Sequence, residues 1–182
     1  MVNSGHSAWN ENEEFSKKIV SELHPNVIVD LGVHYGDSTF LFCEAAMLEG
    51  IYPMIFGIDT FEGDYYTGRY NDVYEYTIKE SYKYPLVHIR KETFRKFSEF
   101  CKENSISIDL LHVDGSHSYE ETKENYELFL PFLREGGCVL FHDTKMEGVK
   151  KLFDEITEGK DKDLFYEFDN NYGLGVFYPK GK

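Results

Sequence analysis

The chain has 182 residues, 41% of them hydrophobic and 16% aromatic, with a formal net charge of −14. That content supports the core of one domain over 1–182 and argues against disorder. The acidic balance, with no cluster of Lys and Arg, excludes a nucleic-acid binder or an anchor on acidic membranes, since both need a concentrated basic patch; a neutral or cationic small substrate fits better.

No apolar run approaches the ~20 residues of a membrane helix. Residues 1–21 lack the apolar stretch and cleavage signal of a secretory leader, so the expected location is cytoplasmic. Cys43, Cys101 and Cys138 lie in apolar patterns without metal spacing and read as reduced, buried thiols.

In chain order, an N-terminal helical segment occupies 1–24, with Trp9, Phe15, Ile19, Val20 and Leu23 at helical spacing until His24-Pro25. Strand one is 26–31, a helix follows over 37–49 and stops at Gly50, and strand two is 54–59. Residues 60–84 read as an irregular insertion rich in tyrosine: Tyr65, Tyr66, Tyr70, Tyr74, Tyr76, Tyr82 and Tyr84. It is either a lid over a substrate or a cover for the sheet or for a second copy in a homo-oligomer. Strand three (86–89), a helix (92–103), strand four (108–113) and a helix (118–130) come next. Gly136-Gly137 opens strand five (138–142), a helix runs 145–158, and strands 164–168 and 174–178 form a hairpin through Asn170-Asn171-Tyr172-Gly173. The alternation predicts an α/β fold, a mostly parallel, doubly wound sheet with the last strand inserted antiparallel.

The most informative stretch runs from Val27 to Thr39: a β-branched strand, Gly32 and Gly36 in a tight turn, then a helix start at Asp37-Ser38-Thr39. Glycine lets a ligand approach the backbone, and the helix N-terminus suits a carboxylate or other anion; otherwise it is an ordinary strand-to-helix turn. Asp30, Asp59 and Asp114 close three strands and His142-Asp143 a fourth, so they should share the carboxyl rim. Asp59 lies 23 residues beyond Gly36, close to the offset of roughly 20 at which an acid reaches a ribose hydroxyl; otherwise it caps the next turn. Asp114 and His117 flank Gly115 and can face one pocket, His117 as a base toward a substrate hydroxyl or as a helix N-terminal residue bonded to backbone. Asp114 could bind a metal, orient the substrate or hold the histidine. His112 and His88 sit inside strands and read as structural. Asp114, His142 and Asp143 offer an O,O,N set suited to Mg²⁺ or Mn²⁺, unless Asp143 is the N-cap of the next helix.

Four segments, Val29–Thr39, Gly57–Asp64, Val113–Glu120 and Gly136–Thr144, together resemble class I S-adenosylmethionine-dependent methyltransferases, in particular the sugar and small-molecule O-methyltransferases related to macrocin O-methyltransferase. The resemblance covers residues 26–178 and implies a Rossmann-like sheet, S-adenosylmethionine as cofactor and a small-molecule or sugar acceptor. It implies that Asp30 and the Gly32–Gly36 turn, with His34, Tyr35 and Ser38, hold the methionine end. Asp59, with Thr60 and Phe61, would hold the ribose; Thr93 would lie near the adenine; Asp114 would complete the cofactor contacts. His117 matches a proposed general base, and Asp114 and Asp143 match metal-holding acids, while His142 stands where many metal-dependent relatives carry another acid. A nicotinamide-dependent oxidoreductase would show a tighter Gly-x-Gly-x-x-Gly turn, which this chain lacks. The same scaffold would also serve a non-catalytic cofactor-binding module, or a metal-dependent hydroxylase or hydrolase.

Overall fold

A computed structural model describes residues 8–63, 72–170 and 172–182. A 3-10 turn, Ala8–Asn12, leads into α1 (Glu13–Leu23), which ends where His24 turns left-handed (φ 44°) and donates its N–H to the Val20 carbonyl. There follow β1 (Val27–Leu31), α2 (Asp37–Glu49), β2 (Met54–Asp59), α3 (Val73–Ser81), β3 (Val87–Lys91), α4 (Phe94–Glu103) and β4 (Ile108–Val113). The chain continues through α5 (Tyr119–Phe129), β5 (Leu133–His142), α6 (Glu147–Thr157), β6 (Phe165–Phe168) and β7 (Leu174–Phe177).

The strands form one seven-stranded sheet in the order β3-β2-β1-β4-β5-β7-β6. β1 to β5 pair in parallel, and β7 lies antiparallel between β5 and β6. The doubly wound expectation, with its antiparallel C-terminal strand, is therefore met. Alternate residues of the central strands feed two cores. Val27, Val29 and Leu31 face Phe97, Tyr126, Phe129 and Leu152 of α4, α5 and α6. Ile28, Leu110 and Leu140 face Ile19, Val20, Leu41 and Phe42 of α1 and α2. Apolar burial on both faces explains why β1 and β4 read as continuous hydrophobic runs. The α2 helix is apolar around most of its circumference because it is buried against the sheet and α1, while its Phe40 stacks on Tyr84 at 4.5 Å. All three cysteines are buried free thiols, and burial pushes Cys101 and Cys138 up to about 12.

Three expectations need correction. First, the segment 60–84 is not irregular throughout, since it contains α3; Tyr65, Tyr66 and Tyr70 of the expected lid lie outside the described residues. Only Val73 and Thr77 of α3 are buried, and its run of Tyr and β-branched residues gives little helical signal. The helix is fixed by tertiary contact: Thr77 donates its hydroxyl to the His34 carbonyl at 2.7 Å. Second, β5 begins at Leu133 rather than 138, because a register shift between Ile108 and Leu110 absorbs Gly136-Gly137 into the strand. Third, α6 begins at Glu147 with Met146 at its N-cap, so the Asp143 side chain does not cap it.

Candidate active site

The carboxyl ends of the parallel strands carry two constructions. Over β1 and β2 the working parts are backbone. Gly32 adopts φ 98° and its N–H pairs with the Ile58 carbonyl; a Cβ there would lie 2.0 Å from the Asp114 carbonyl oxygen, so only glycine lets the β1 and β4 loops meet. Gly36, at φ 88°, is the N-cap of α2 and supplies no side-chain cap, so the first-turn N–H groups of α2 take no N-cap side chain. Asp59 is 8% exposed and accepts from the His34 N–H at 2.9 Å and the Phe61 N–H at 2.7 Å. Burial raises its carboxyl above the ordinary value against the pull of those two N–H groups. A carboxylate offers about four acceptor positions, so two remain for ribose hydroxyls.

His34 (φ 50°), Phe61 (φ 55°) and Asp143 (φ 59°) are left-handed non-glycine residues just past β1, β2 and β5. Such strain, about 1–3 kcal/mol each, collects at binding and catalytic sites. Tyr35 meets His34 at 4.5 Å and Tyr76 of α3 at 5.4 Å, and Phe61 meets Tyr74 at 5.0 Å, so α3 lies against this side of the rim. Thr60 accepts from the Glu62 N–H at 3.4 Å; Thr93, past β3, is the N-cap of α4 and accepts from Lys96.

Asp30 departs from expectation. It lies within β1, is fully buried, and its carboxylate accepts from the Ser38 hydroxyl at 2.7 Å, from Thr39, and from the His112 ring at 2.7 Å. It therefore braces the glycine turn from beneath. The side chain falls on the α2 face of β1, one residue short of the rim.

Over β4 and β5 the working parts are side chains. Asp114, His117 and Asp143 each offer a ligand atom, all within 4.8 Å of one another. His117 Nε2 meets Asp143 Oδ2 at 2.7 Å, so Asp143 rather than Asp114 holds the histidine. Ser118, N-cap of α5, accepts from the Glu121 N–H, and the Glu121 carboxylate takes hydroxyls from Ser116 and Ser118, which fixes the loop carrying His117. The sequence set His142 beside Asp114 and Asp143, and the cluster that converges on the rim also brings in His117. His142 is 3% exposed and packs under Trp9 (ring centroids 5.1 Å), behind Asp114 and Asp143, while His117 supplies the nitrogen of the cluster. The last residue of β5 points to the α1–α2 face, which alternation along the strand requires. His142 Nδ1 lies 3.3 Å from Asp114 and 3.1 Å from Asp143. Burial opposes its charge, but the two carboxylates outweigh that and hold its pKa up at about 10. Asp143 is also buried, yet His117 and His142 keep its carboxyl well below the ordinary range.

Sequence reasoning missed two contributors: the His112–Asp30 bond, hidden because His112 reads as strand interior, and Thr77, whose helix was not visible. Among the described residues no helix is long and apolar enough to cross a membrane.

The chain is 32% identical over 179 residues to the uncharacterized protein y4gI of Sinorhizobium fredii, covering 95% of this chain and 19% of that protein, and so spans about a fifth of the relative's length. An O-methyltransferase of Bacillus cereus, solved in complex with SAH, superposes with a TM-score of 0.69 at 10% identity over 95% of this chain and 83% of that one. CalS11, a calicheamicin methyltransferase and TDP-rhamnose 3'-O-methyltransferase, gives 0.68 at 18% identity over 92% and 77%. At these identities the solved structures show the shared fold. The family model described as a methyltransferase domain matches residues 29–144, from the first strand through the end of β5. Since that match spans more than half of the chain, the chain belongs to the methyltransferase-domain family, whose class I, S-adenosylmethionine-dependent members it resembles.

Proposed function

We propose that this domain transfers the methyl group of S-adenosylmethionine to a hydroxyl oxygen of a small molecule or sugar, with His117 as general base. The observation that supports it most is the placement of the His117–Asp143 pair on the same rim as the glycine turn and Asp59. In this reading Asp59 grips the ribose through its two remaining acceptor positions, and the N-terminus of α2 receives the methionine carboxylate. Tyr35, Thr60, Phe61 and Thr93 line the same stretch of rim and complete the cofactor's surroundings. Asp143 holds the His117 ring through Nε2 at 2.7 Å. S-adenosylmethionine bound there would supply the methyl group to the acceptor oxygen and leave as the thioether, and His117 would take the hydroxyl proton. Positioning and proton removal are what the protein must add, because the sulfonium already activates the methyl group.

Asp114, His117 and Asp143 form an O,O,N set that fits Mg²⁺ or Mn²⁺, and those three residues would hold the ion. Bound there, it would lower the pKa of an acceptor hydroxyl. His142 belongs to the support of the two acids in this reading, not to the ligands.

Calorimetry with S-adenosylhomocysteine and with NAD tests the cofactor: binding of the first alone is expected, and binding of NAD alone would move the chain to the oxidoreductases. His117→Ala should keep S-adenosylhomocysteine affinity and lose about 10²–10⁴-fold in turnover, the usual share of general acid–base catalysis. Near-normal turnover removes His117 from the role. Turnover abolished by a chelator and restored by Mg²⁺ or Mn²⁺ would assign His117 to the ion rather than to the proton.

A further inference from the structure

The Asp30 carboxylate is a buried charge, and such a charge is tolerated only where donors surround it. Two of its three donors, Ser38 and Thr39, belong to the first turn of α2; the third is the imidazole of His112, itself fully buried. His112 Nδ1 is the ring atom that meets the Asp30 carboxyl, at 2.7 Å. The ring is clamped by Trp9 at 4.4 Å and Phe42 at 5.9 Å, and its buried Nε2 has no hydrogen-bond partner among the described residues. An apolar ring would fill that pocket with no stranded nitrogen, so packing does not account for a histidine here.

What accounts for it is the unusual start of α2. Gly36 gives that helix no capping side chain. A negative charge at a helix N-terminus is stabilising, and a conventional cap would supply it while consuming first-turn N–H groups. Asp30 adds a second acid to the one that Asp37 places in the first turn, and it does so through the Ser38 and Thr39 hydroxyls rather than by taking a backbone N–H group.

We propose that His112 is a positioning residue for the cofactor turn: its imidazole fixes the Asp30 carboxylate, which fixes the first turn of α2 through Ser38 and Thr39. The proposal rests on the reading that this turn receives the methionine end of S-adenosylmethionine. His112 acts on how the cofactor is held and touches neither the acceptor nor the reacting atoms.

The test is calorimetric titration of S-adenosylhomocysteine into the wild type, His112→Asn, His112→Gln and His112→Phe, with melting temperatures recorded and steady-state kinetics in parallel. The asparagine amide reaches the position of Nδ1, whereas the glutamine amide reaches that of Nε2. His112→Asn should bind within about threefold of wild type, and His112→Phe and His112→Gln at least about tenfold more weakly, the size expected for a lost bond to a buried charge. The kinetic loss should fall on KM for S-adenosylmethionine, with kcat at saturation little changed. Equal affinity for wild type and His112→Phe overturns the proposal, as does equal weakening by Asn and Gln in step with melting temperature. Should His112→Phe fail to fold, the Asn and Gln pair decides alone. A wild type that binds no S-adenosylhomocysteine overturns the cofactor reading itself, a different result from a wild type that binds and variants that do not differ.

Discussion

The two halves of the rim are built from different materials. Over β1 and β2 a ligand would meet backbone: glycines at positive φ, uncapped N–H groups and an acid that orders two more N–H groups. Over β4 and β5 it would meet side chains: two carboxylates and an imidazole within 4.8 Å, backed by His142. Backbone geometry suits an invariant ligand, since it tolerates little change in shape and does no chemistry of its own. Side-chain clusters set proton affinity and charge, which is what a reaction varies. The first half is therefore read as the cofactor side and the second as the reacting side.

Asp143→Asn should break the comparison most sharply. Losing the anion that holds His117 is expected to lower turnover by about 10²–10⁴-fold with S-adenosylhomocysteine affinity unchanged. An affinity loss as large as the turnover loss would show that the two halves are not separable.

Gly32→Ala strikes the other half. Its Cβ would lie 2.0 Å from the Asp114 carbonyl at a φ of 98°, so destabilisation of about 3 kcal/mol is expected, read from the urea midpoint. A midpoint within error of wild type would mean that the loops can part freely.

Thr77→Val removes the bond from α3 to His34 and keeps the shape. A loss of about 1 kcal/mol is expected, with S-adenosylhomocysteine affinity reduced more than turnover at saturation. The reverse pattern would assign α3 to the reacting side.

Glu121→Gln gives the smallest effect. Hydroxyls from Ser116, first, and Ser118 lower the Glu121 pKa in the folded state below its ordinary value near 4.5. The stabilisation is thus present above that ordinary value and is lost as the pH falls through the folded one. The variant should unfold with a shallower dependence on pH below 4.5 and behave as wild type at neutral pH. An altered profile at neutral pH would show that the loop carrying His117 depends on this charge directly.

The fold was largely legible in the sequence because its elements carry local signals. The α2 helix ends at Gly50, and β2 and β4 match the expected 54–59 and 108–113, since apolar runs bounded by turn residues admit few readings. α3 was not legible, because it buries only Val73 and Thr77 and is fixed by a carbonyl 43 residues earlier in the chain. The same limit applied to the site. That Asp59, Asp114 and His142-Asp143 stand at strand ends could be read directly; that Asp30 sits one residue inside β1, and which groups meet across strands, could not.

The sequence by itself determined the alternation of strands and helices, the glycine turn and the set of acids and histidines near the strand ends, because each is written in neighbouring residues. Only the tertiary structure decided that the Asp30 carboxylate is taken up by Ser38, Thr39 and His112, that Asp143 rather than Asp114 holds His117, and that His142 lies buried behind the two acids. Those outcomes depend on the pairing of β1 with β4 and of β4 with β5, which brings together residues 82 and 26 positions apart. No local pattern encodes contacts at that separation; the packed sheet does.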